Sequence, residues 1–303
     1  MRIHDIAKNM DDAGGDPRDK VLDDAQLKQL HRVFLSMLDD MVVICREHDL
    51  KFCLIGGNAI GAVRHGGFIP WDDDVDIAMT RADYDRLIPI IRRDYSDKYI
   101  ITDPRDVDNF GKVIPKLRLK GTTYYSVLDH PREDHGVRLD VFPLENTYDN
   151  WLMRMIHGIG CYGFGFALSC RRFYKDRAKY RQYRYLSFKV KTAIGFFLSF
   201  ASIERWARWT DHWYSLCKND RSKYATIPSD APFFFGSLVK RAEFCDYAWM
   251  DYEGRKYPLP GGLDSYLRAV YGDYMTIPPV EKRIREKYLE FDLSGFKAPV
   301  GGK

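Results

Sequence analysis

FCLIGGNAIGAVRHGGFIPWDDDVDIAM, residues 52–79, decides how this chain is read. An apolar run from Phe52 to Ile55 ends at Gly56-Gly57. A helix-sized stretch follows through Arg64 and His65, and Gly66-Gly67-Phe68-Ile69-Pro70-Trp71 leads into Asp72, Asp73, Asp74 and Asp76. That order spells strand, glycine turn, helix and a second strand carrying carboxylates. A strand that ends in two glycines and opens a helix leaves N–H groups at the helix N-terminus, an anion site suited to phosphate. Gly56, Gly57 and Asn58 are therefore expected to hold phosphates, with Asn58 also capping the helix. Side chains alternate along an extended segment, so Asp74 and Asp76 share a face opposite Val75 and Ile77. Asp73 then points away, and Asp72 is structural. Two carboxylates one strand period apart can share a Mg²⁺, or alternatively a Mn²⁺. Arg64 either stabilises charge on a transferring phosphoryl group or satisfies carbonyls at the helix C-terminus. His65 reads as structural, and Trp71 as packing under the acidic turn.

Outward from that stretch the chain alternates helical and extended patterns. Leu27, Leu30, Phe34, Leu38 and Met41 recur at helical spacing between Val21 and Asp49. Thr80-Arg81-Ala82-Asp83 resembles a helix start before Tyr84, Leu87, Ile88 and Ile91. Residues 99–101 and 110–119 read as strands, and residues 122–127 as the return strand across Gly121. Pro115 argues for an edge strand, on which Lys112, Lys116 and Arg118 either solubilise or face phosphate. GVRLDVFPL, residues 136–144, alternates cleanly and is stopped by Pro143. On it Asp140 is a third carboxylate, polar-facing and available to complete a metal site with Asp74 and Asp76. Leu263 to Tyr271 reads as a helix closed by Gly272.

A 303-residue chain with 45% hydrophobic and 30% charged residues suits a soluble globular protein. Its net charge of +4 is too small to argue for nucleic acid. Residues 171–191 carry nearly all the surplus. The six cysteines have no metal or disulfide spacing, which suits free thiols in a reducing cytosol. Aromatic content of 15%, with 20 Tyr and 18 Phe, is high. Two apolar runs, 151–170 and 192–203, flank the basic segment. A buried helical pair accounts for them, and so does a peripheral surface facing anionic membrane or a lipid-linked acceptor. The expected division is a mobile tail at 1–20, a core at 21–150, a helical basic and aromatic region at 151–240, and a C-terminal segment at 241–303 packing back on the core.

With these residues in hand the chain resembles the LicD family of phosphotransferases, which includes bacterial phosphocholine transferases and fukutin-type ribitol-phosphate transferases. GGNAIGAVRHGGFIPWDDDVDIAM carries the resemblance. Cys45-Arg46-Glu47-His48, Arg81-Ala82-Asp83-Tyr84, Leu139-Asp140-Val141-Phe142-Pro143-Leu144, Tyr271-Gly272-Asp273-Tyr274 and Pro278-Pro279 extend it over roughly residues 25–145 and 250–285. Asn58 stands where the family usually has Ser or Thr, and no histidine follows Pro278-Pro279. The resemblance implies an α+β, nucleotidyltransferase-like mixed β-sheet flanked by helices, with a helical insertion in mid-chain. It implies a catalytic centre of Asp74, Asp76 and Asp140 with Arg64. Gly56, Gly57, Asn58 and Lys116 would contact the donor. The implied activity moves a phospho-alcohol, phosphocholine first, from a CDP-linked donor such as CDP-choline to a hydroxyl of a cell-surface glycan or its lipid-linked precursor. CMP leaves, and Mg²⁺ bridges the diphosphate. The expected location is cytoplasmic, peripheral to the inner face of the membrane. The rivals are a nucleotidyltransferase using an NTP, a metal-dependent glycosyltransferase and a non-catalytic glycan-binding scaffold.

Overall fold

The structure, a computed structural model, describes residues 20–126, 129–177, 186–283 and 285–296. The expected tail lies outside the described residues except for Lys20, and so does the middle of the basic segment, 178–185. The described chain forms two compact units. Within the described residues, one draws on 20–101, 116–144 and 239–296, and the other on 102–115 and 145–238.

The first unit opens with α1 (Asp24–Glu47). Its start is a reciprocal capping box: Gln26 N–H donates to Asp23 Oδ1 at 2.8 Å, and Asp23 N–H donates to Gln26 Oε1 at 3.0 Å. Leu27, Leu30, Phe34, Met37, Leu38 and Met41 bury one face. Then come β1 (Cys53–Leu54), α2 (Gly56–His65), β2 (Asp76–Thr80), α3 (Arg81–Asp94), β3 (Tyr99–Thr102), β4 (Lys116–Leu119), β5 (Thr123–Ser126) and β6 (Val137–Asn146). The sheet runs β1-β2-β6-β4-β3. It is mixed, with β2 parallel to β6 while β1/β2 and β4/β6 are antiparallel.

The second unit contains α4 (Trp151–Lys175), α5 (Leu186–Phe197), α6 (Ile203–Tyr214) and β7 (Tyr224–Thr226). Leu168, Ala201, Ile203, Trp206 and Ala207 form its core. All six cysteines are free, five of them buried. The chain then returns to the first unit through the hairpin β8 (Ala248–Tyr252) and β9 (Arg255–Leu259), α7 (Leu263–Tyr271) and β10 (Tyr288–Asp292). Glu253 and Gly254, both at positive φ, make the two-residue turn of that hairpin.

Several expectations need correction. Residues 110–115 are not strand; β4 begins only after Pro115. It is not an edge strand either, because β6 and β3 flank it. Lys116 and Arg118 are consequently buried rather than solubilising. With both edges of β4 taken, β5 cannot be its return strand and pairs instead with β10. Pro143 does not stop β6. The N–H of Asp140 points to β2, bonding Val75 O at 2.9 Å, so odd-numbered residues face the other edge. On that edge Pro143 falls between the β4 pairing at 137–140 and the β7 pairing at 145–146, where no donor is required. The helices α4 and α5 are not a buried pair, because Leu152, Ile156, Ile159, Phe197 and Phe200 are exposed.

Beneath the sheet, Arg118 is fully buried. It donates to Gly136 O at 3.2 Å and pairs with Asp129 at 3.4 Å and Glu133 at 3.3 Å. Replacing it by methionine keeps the volume but strands buried carboxylates, which costs about 3–5 kcal/mol. Urea unfolding of Arg118→Met should show that loss. An unchanged midpoint would refute the role of this ion pair.

Candidate active site

The acidic segment 72–76 is held from behind at nearly every residue. Asp72 N–H bonds Ile69 O at 2.9 Å, and Asp72 O meets His31 Nε2 at 2.8 Å. The Asp73 carbonyl accepts from the buried Tyr124 hydroxyl. Asp73 Oδ2 accepts from Glu286 N–H at 2.8 Å and from the Tyr288 hydroxyl at 2.9 Å. Asn58 Nδ2 donates to Asp74 O at 3.3 Å, and Asn58 Oδ1 accepts from Asp76 N–H at 2.7 Å. The buried Val75 passes its carbonyl to Asp140 N–H, continuing the β2–β6 ladder one residue upstream. Asp74 and Asp76 therefore lie on one side of the extended backbone, opposite Val75. Asp74 is exposed, while Asp72, Asp76 and Asp140 are half-buried.

Register brings the other charged groups alongside. Asp76 pairs with Asp140 on β6, and Asp140 pairs with Lys116 on β4, so the three form a row across the sheet. Lys116 Nζ lies 3.1 and 3.2 Å from the two Asp140 oxygens, and Arg138 Nε is 3.5 Å from Oδ1. Arg138 also reaches Asp129 at 3.2 Å and Glu286 at 3.0 Å, and its guanidinium lies 4.9 Å from the centre of the Tyr124 ring.

The start of α2 meets the acids at contact distance. Gly56 has φ of +60°, and a Cβ there would come within 3.1 Å of Asp76 Oδ2. A Cβ on Gly57 would collide with the Asp72 carboxyl. Glycine at both positions is thus what lets the helix start and the carboxylates approach. The Asp72 carboxyl lies against the N-terminal turn of α2, at the end of the helix that favours an anion. Gly56 N–H bonds the Tyr266 hydroxyl at 3.3 Å.

These contacts divide the expected site residues. Asp74, Asp76, Asp140, Gly56, Gly57 and Lys116 come together. Asn58 does not cap α2: Ile55 occupies that position without a side-chain bond. The buried Asn58 amide instead joins α2 to the acidic segment and to the Tyr252 hydroxyl at 3.5 Å, which leaves it a positioning role. Arg64 gives its N–H groups to Tyr274 O at 2.8 Å and Thr276 O at 3.3 Å. It clasps the 274–276 loop, whose carbonyls stand in place of those expected at the C-terminus of α2, and its charge also acts on Asp72. Lys116 is engaged with Asp140. Trp71 carries the Arg283 guanidinium over its ring at 4.4 Å. Sequence reading missed Arg138, Glu286, Tyr124, Tyr266 and Tyr288. The one available signal was the alternation of Glu286 and Tyr288 in the extended segment leading into β10.

The electrostatics show a deficit of positive charge on one side. Burial, with the Asp74 and Asp73 carboxyls, drives Asp72 well above the usual range. Asp74 keeps solvent contact but is ringed by protein, so desolvation and then repulsion from Asp140 push it to about 6. Asp140 is itself lowered: burial opposes its charge, but Lys116 and Arg138 more than offset that. Among the described residues Asp72 Oδ2 has no hydrogen-bond partner. An under-neutralised set of oxygen donors fits a hard divalent cation in its chemistry. Among the described residues no three His, Cys, Asp or Glu side chains already stand as a ligating group, and Asp140 is satisfied by cations of the chain itself.

Asp73 gives the pH dependence its sign. Burial first, then Asp74 and Glu286, raise it to about 7 against the bonds from Glu286 N–H and Tyr288. The native state therefore binds this proton more tightly than the unfolded chain. Its contribution to stability is present below pH ~4 and is lost as pH rises through about 7. Asp140 has the opposite sign, but its window lies below the ordinary carboxylate range. Between about pH 5 and about pH 8 the urea midpoint of Asp73→Asn should decline less than that of the wild type, since His31 and His157, whose depressed pKa values act with the opposite sign, are the same in both proteins. Identical pH profiles for the wild type and Asp73→Asn would contradict the assignment.

Parts of this chain are similar to known proteins. Residues 49–157 match the family described as LicD/FKTN/FKRP, nucleotidyltransferase domain. The chain is 24% identical over 274 residues to the lipopolysaccharide cholinephosphotransferase LicD of Haemophilus influenzae, an overlap of 87% of this chain and 98% of that protein. It is 28% identical over 104 residues to an uncharacterized protein of Rickettsia typhi, covering 29% of this chain and 33% of that one. The matched segment contains Gly56, Gly57 and every carboxylate of the row just described. Over residues 49–157 the chain is thus similar to the nucleotidyltransferase domain of the LicD family.

Proposed function

We propose that this protein is a metal-dependent phosphotransferase that moves a phospho-alcohol, phosphocholine first, from a CDP-linked donor to a hydroxyl of a cell-surface glycan or its lipid-linked precursor. The observation that carries the reading is the meeting of two features: the Gly56-Gly57 helix start and the carboxylates of Asp72, Asp74, Asp76 and Asp140 abut one another. The similarity to the LicD-family domain and to a lipopolysaccharide cholinephosphotransferase supports it. We also infer that the sheet is a nucleotidyltransferase-like fold, with α4 to α6 as its helical insertion.

In this reading the acceptor oxygen attacks the β-phosphorus, the one bearing the alcohol, in line with the bridging oxygen. A bond forms from the acceptor oxygen to phosphorus, the bond from phosphorus to the bridging oxygen breaks, and CMP leaves with that electron pair. Mg²⁺ held by Asp74, Asp76 and Asp140, with Asp72 adjoining, would supply positive charge against the diphosphate and the leaving CMP. The donor phosphates meet the α2 start beside Asp72. Lys116 and Arg138 keep Asp140 ionised, so it is in the form that can hold a cation or receive the acceptor's proton. Asn58 and Arg64 hold α2, the acidic segment and the 274–276 loop in place.

The test is CMP release from CDP-choline, CDP-glycerol, CDP-ribitol and CDP-ethanolamine with Mg²⁺, beside labelled CTP. One CDP-alcohol should yield CMP. Chelation should abolish it, and Asp74→Asn or Asp140→Asn should reduce it by about a hundredfold or more. Label passing from CTP to an acceptor, with no CMP from any CDP-alcohol, would establish the nucleotidyltransferase reading instead.

A further inference from the structure

The second unit presents an apolar surface that its own packing leaves bare. On α4, Leu152, Ile156, Ile159 and Phe166 follow helical spacing and are 58, 49, 63 and 47% exposed. Gly163 lies among them on the same face and opens onto empty space. The same stripe continues through Cys170 and Phe173, and there it is covered. α5 crosses it, with Gly195 packed against the Cys170 carbonyl and Phe188 5.0 Å from Phe173. The last third of the stripe is therefore core and the first two thirds are not. Beyond the crossing, Phe197 and Phe200 are 77 and 71% exposed. Burying such side chains is worth roughly 1.5–3 kcal/mol each; Lys191 over Phe166 and the ring contacts of Phe197 and Phe200 cover part of this surface, and nothing among the described residues claims the rest.

Charge identifies what does. From Trp151 to Ile203 the sequence holds ten Lys and Arg against one acidic residue, Asp176. The whole chain is only +4, so the remainder is net acidic. Arg177 and Lys189 are exposed within the basic segment, whereas Arg171 is buried against the Gly195 and Ala201 carbonyls. No helix among the described residues is long and apolar enough to cross a membrane. Exposed aliphatic and aromatic side chains beside a strongly basic segment, on helices too polar to span, match a surface that lies in the headgroup layer. A second copy is the poorer occupant, because it would bring the same positive charge to the same face.

We propose that the exposed face of α4, with Phe197 and Phe200 beyond α5, docks on a bilayer bearing anionic headgroups. This inference stands apart from the transfer reaction. The full chain should float with vesicles of phosphatidylcholine plus phosphatidylglycerol and be released from them by salt. It should bind vesicles of phosphatidylcholine alone far less. Ile156→Glu with Ile159→Glu should lower the bound fraction by about tenfold or more, and Lys189→Glu by less. Both variants should keep the wild-type circular dichroism spectrum, since all three side chains are exposed. Phe197→Ser provides an independent substitution on the other helix and should weaken binding in the same direction. Full recovery in the soluble fraction on both lipid mixtures at low salt would overturn the proposal. So would a dimer, seen by light scattering without lipid, that the paired isoleucine substitution dissociates while vesicle binding is absent.

Discussion

The Asn58 side chain is the join on which the site depends. One short amide takes the Asp76 N–H and gives its own hydrogens to the Asp74 carbonyl and the Tyr252 hydroxyl. It ties the first turn of α2 to the mouth of β2, so that the glycine backbone and the carboxylates cannot drift apart. The amide is buried, and leaving its partners unpaired would cost about 1–3 kcal/mol each. The other restraints on residues 72–76, from His31, Tyr124, Glu286 and Tyr288, act on the same short segment from different elements. Such redundancy is what it takes to hold four acids together against their own repulsion.

That repulsion is relieved unevenly. On the β6 side Lys116 and Arg138 neutralise Asp140, and a buried chain of ion pairs continues to Asp129 and Glu286. On the α2 side Arg64 offsets the charge of Asp72, and Arg138 and Lys116 that of Asp74, only in part, and both carboxyls are driven upward. The site is thus polarised: one carboxylate is held charged by the chain, and its neighbours are short of positive charge. A divalent ion arriving with a nucleotide diphosphate would complete that balance.

Much of this was legible in residues 52–79, because glycine, apolar and acidic residues follow one another with the periods of the elements they form. Asp140 was legible for the same reason, as the polar residue on an alternating strand. What the pattern could not reveal was partnership between distant segments. Lys116 and Arg118 look like solubilising residues of an edge strand until β3 and β6 are seen to flank them. Arg64 and Asn58 are residue types that touch phosphate in many proteins, and their partners within the chain, the 274–276 carbonyls and the acidic segment, cannot be read from local sequence. Residues 122–127 have the composition of a return strand, but long-range pairing with β10 claims them. Pro143 is a strand breaker by local chemistry and harmless where the adjoining edge asks for no donor.

The second unit follows a different logic, with its apolar residues partly turned outward and its basic charge gathered beside them. Its helices need no role in the chemistry to matter for where the chemistry occurs. The central claim concerns the first unit, that the α2 start and the acids of 72–76 and Asp140 form one site for a cation and a diphosphate. The most direct measurement is titration of Mn²⁺ followed by electron paramagnetic resonance, with and without CDP-choline, for the wild type and for Asp74→Asn with Asp76→Asn. The account predicts a bound ion whose affinity rises when CDP-choline is present and which the double substitution abolishes. Equal Mn²⁺ binding by both proteins, indifferent to CDP-choline, would contradict it.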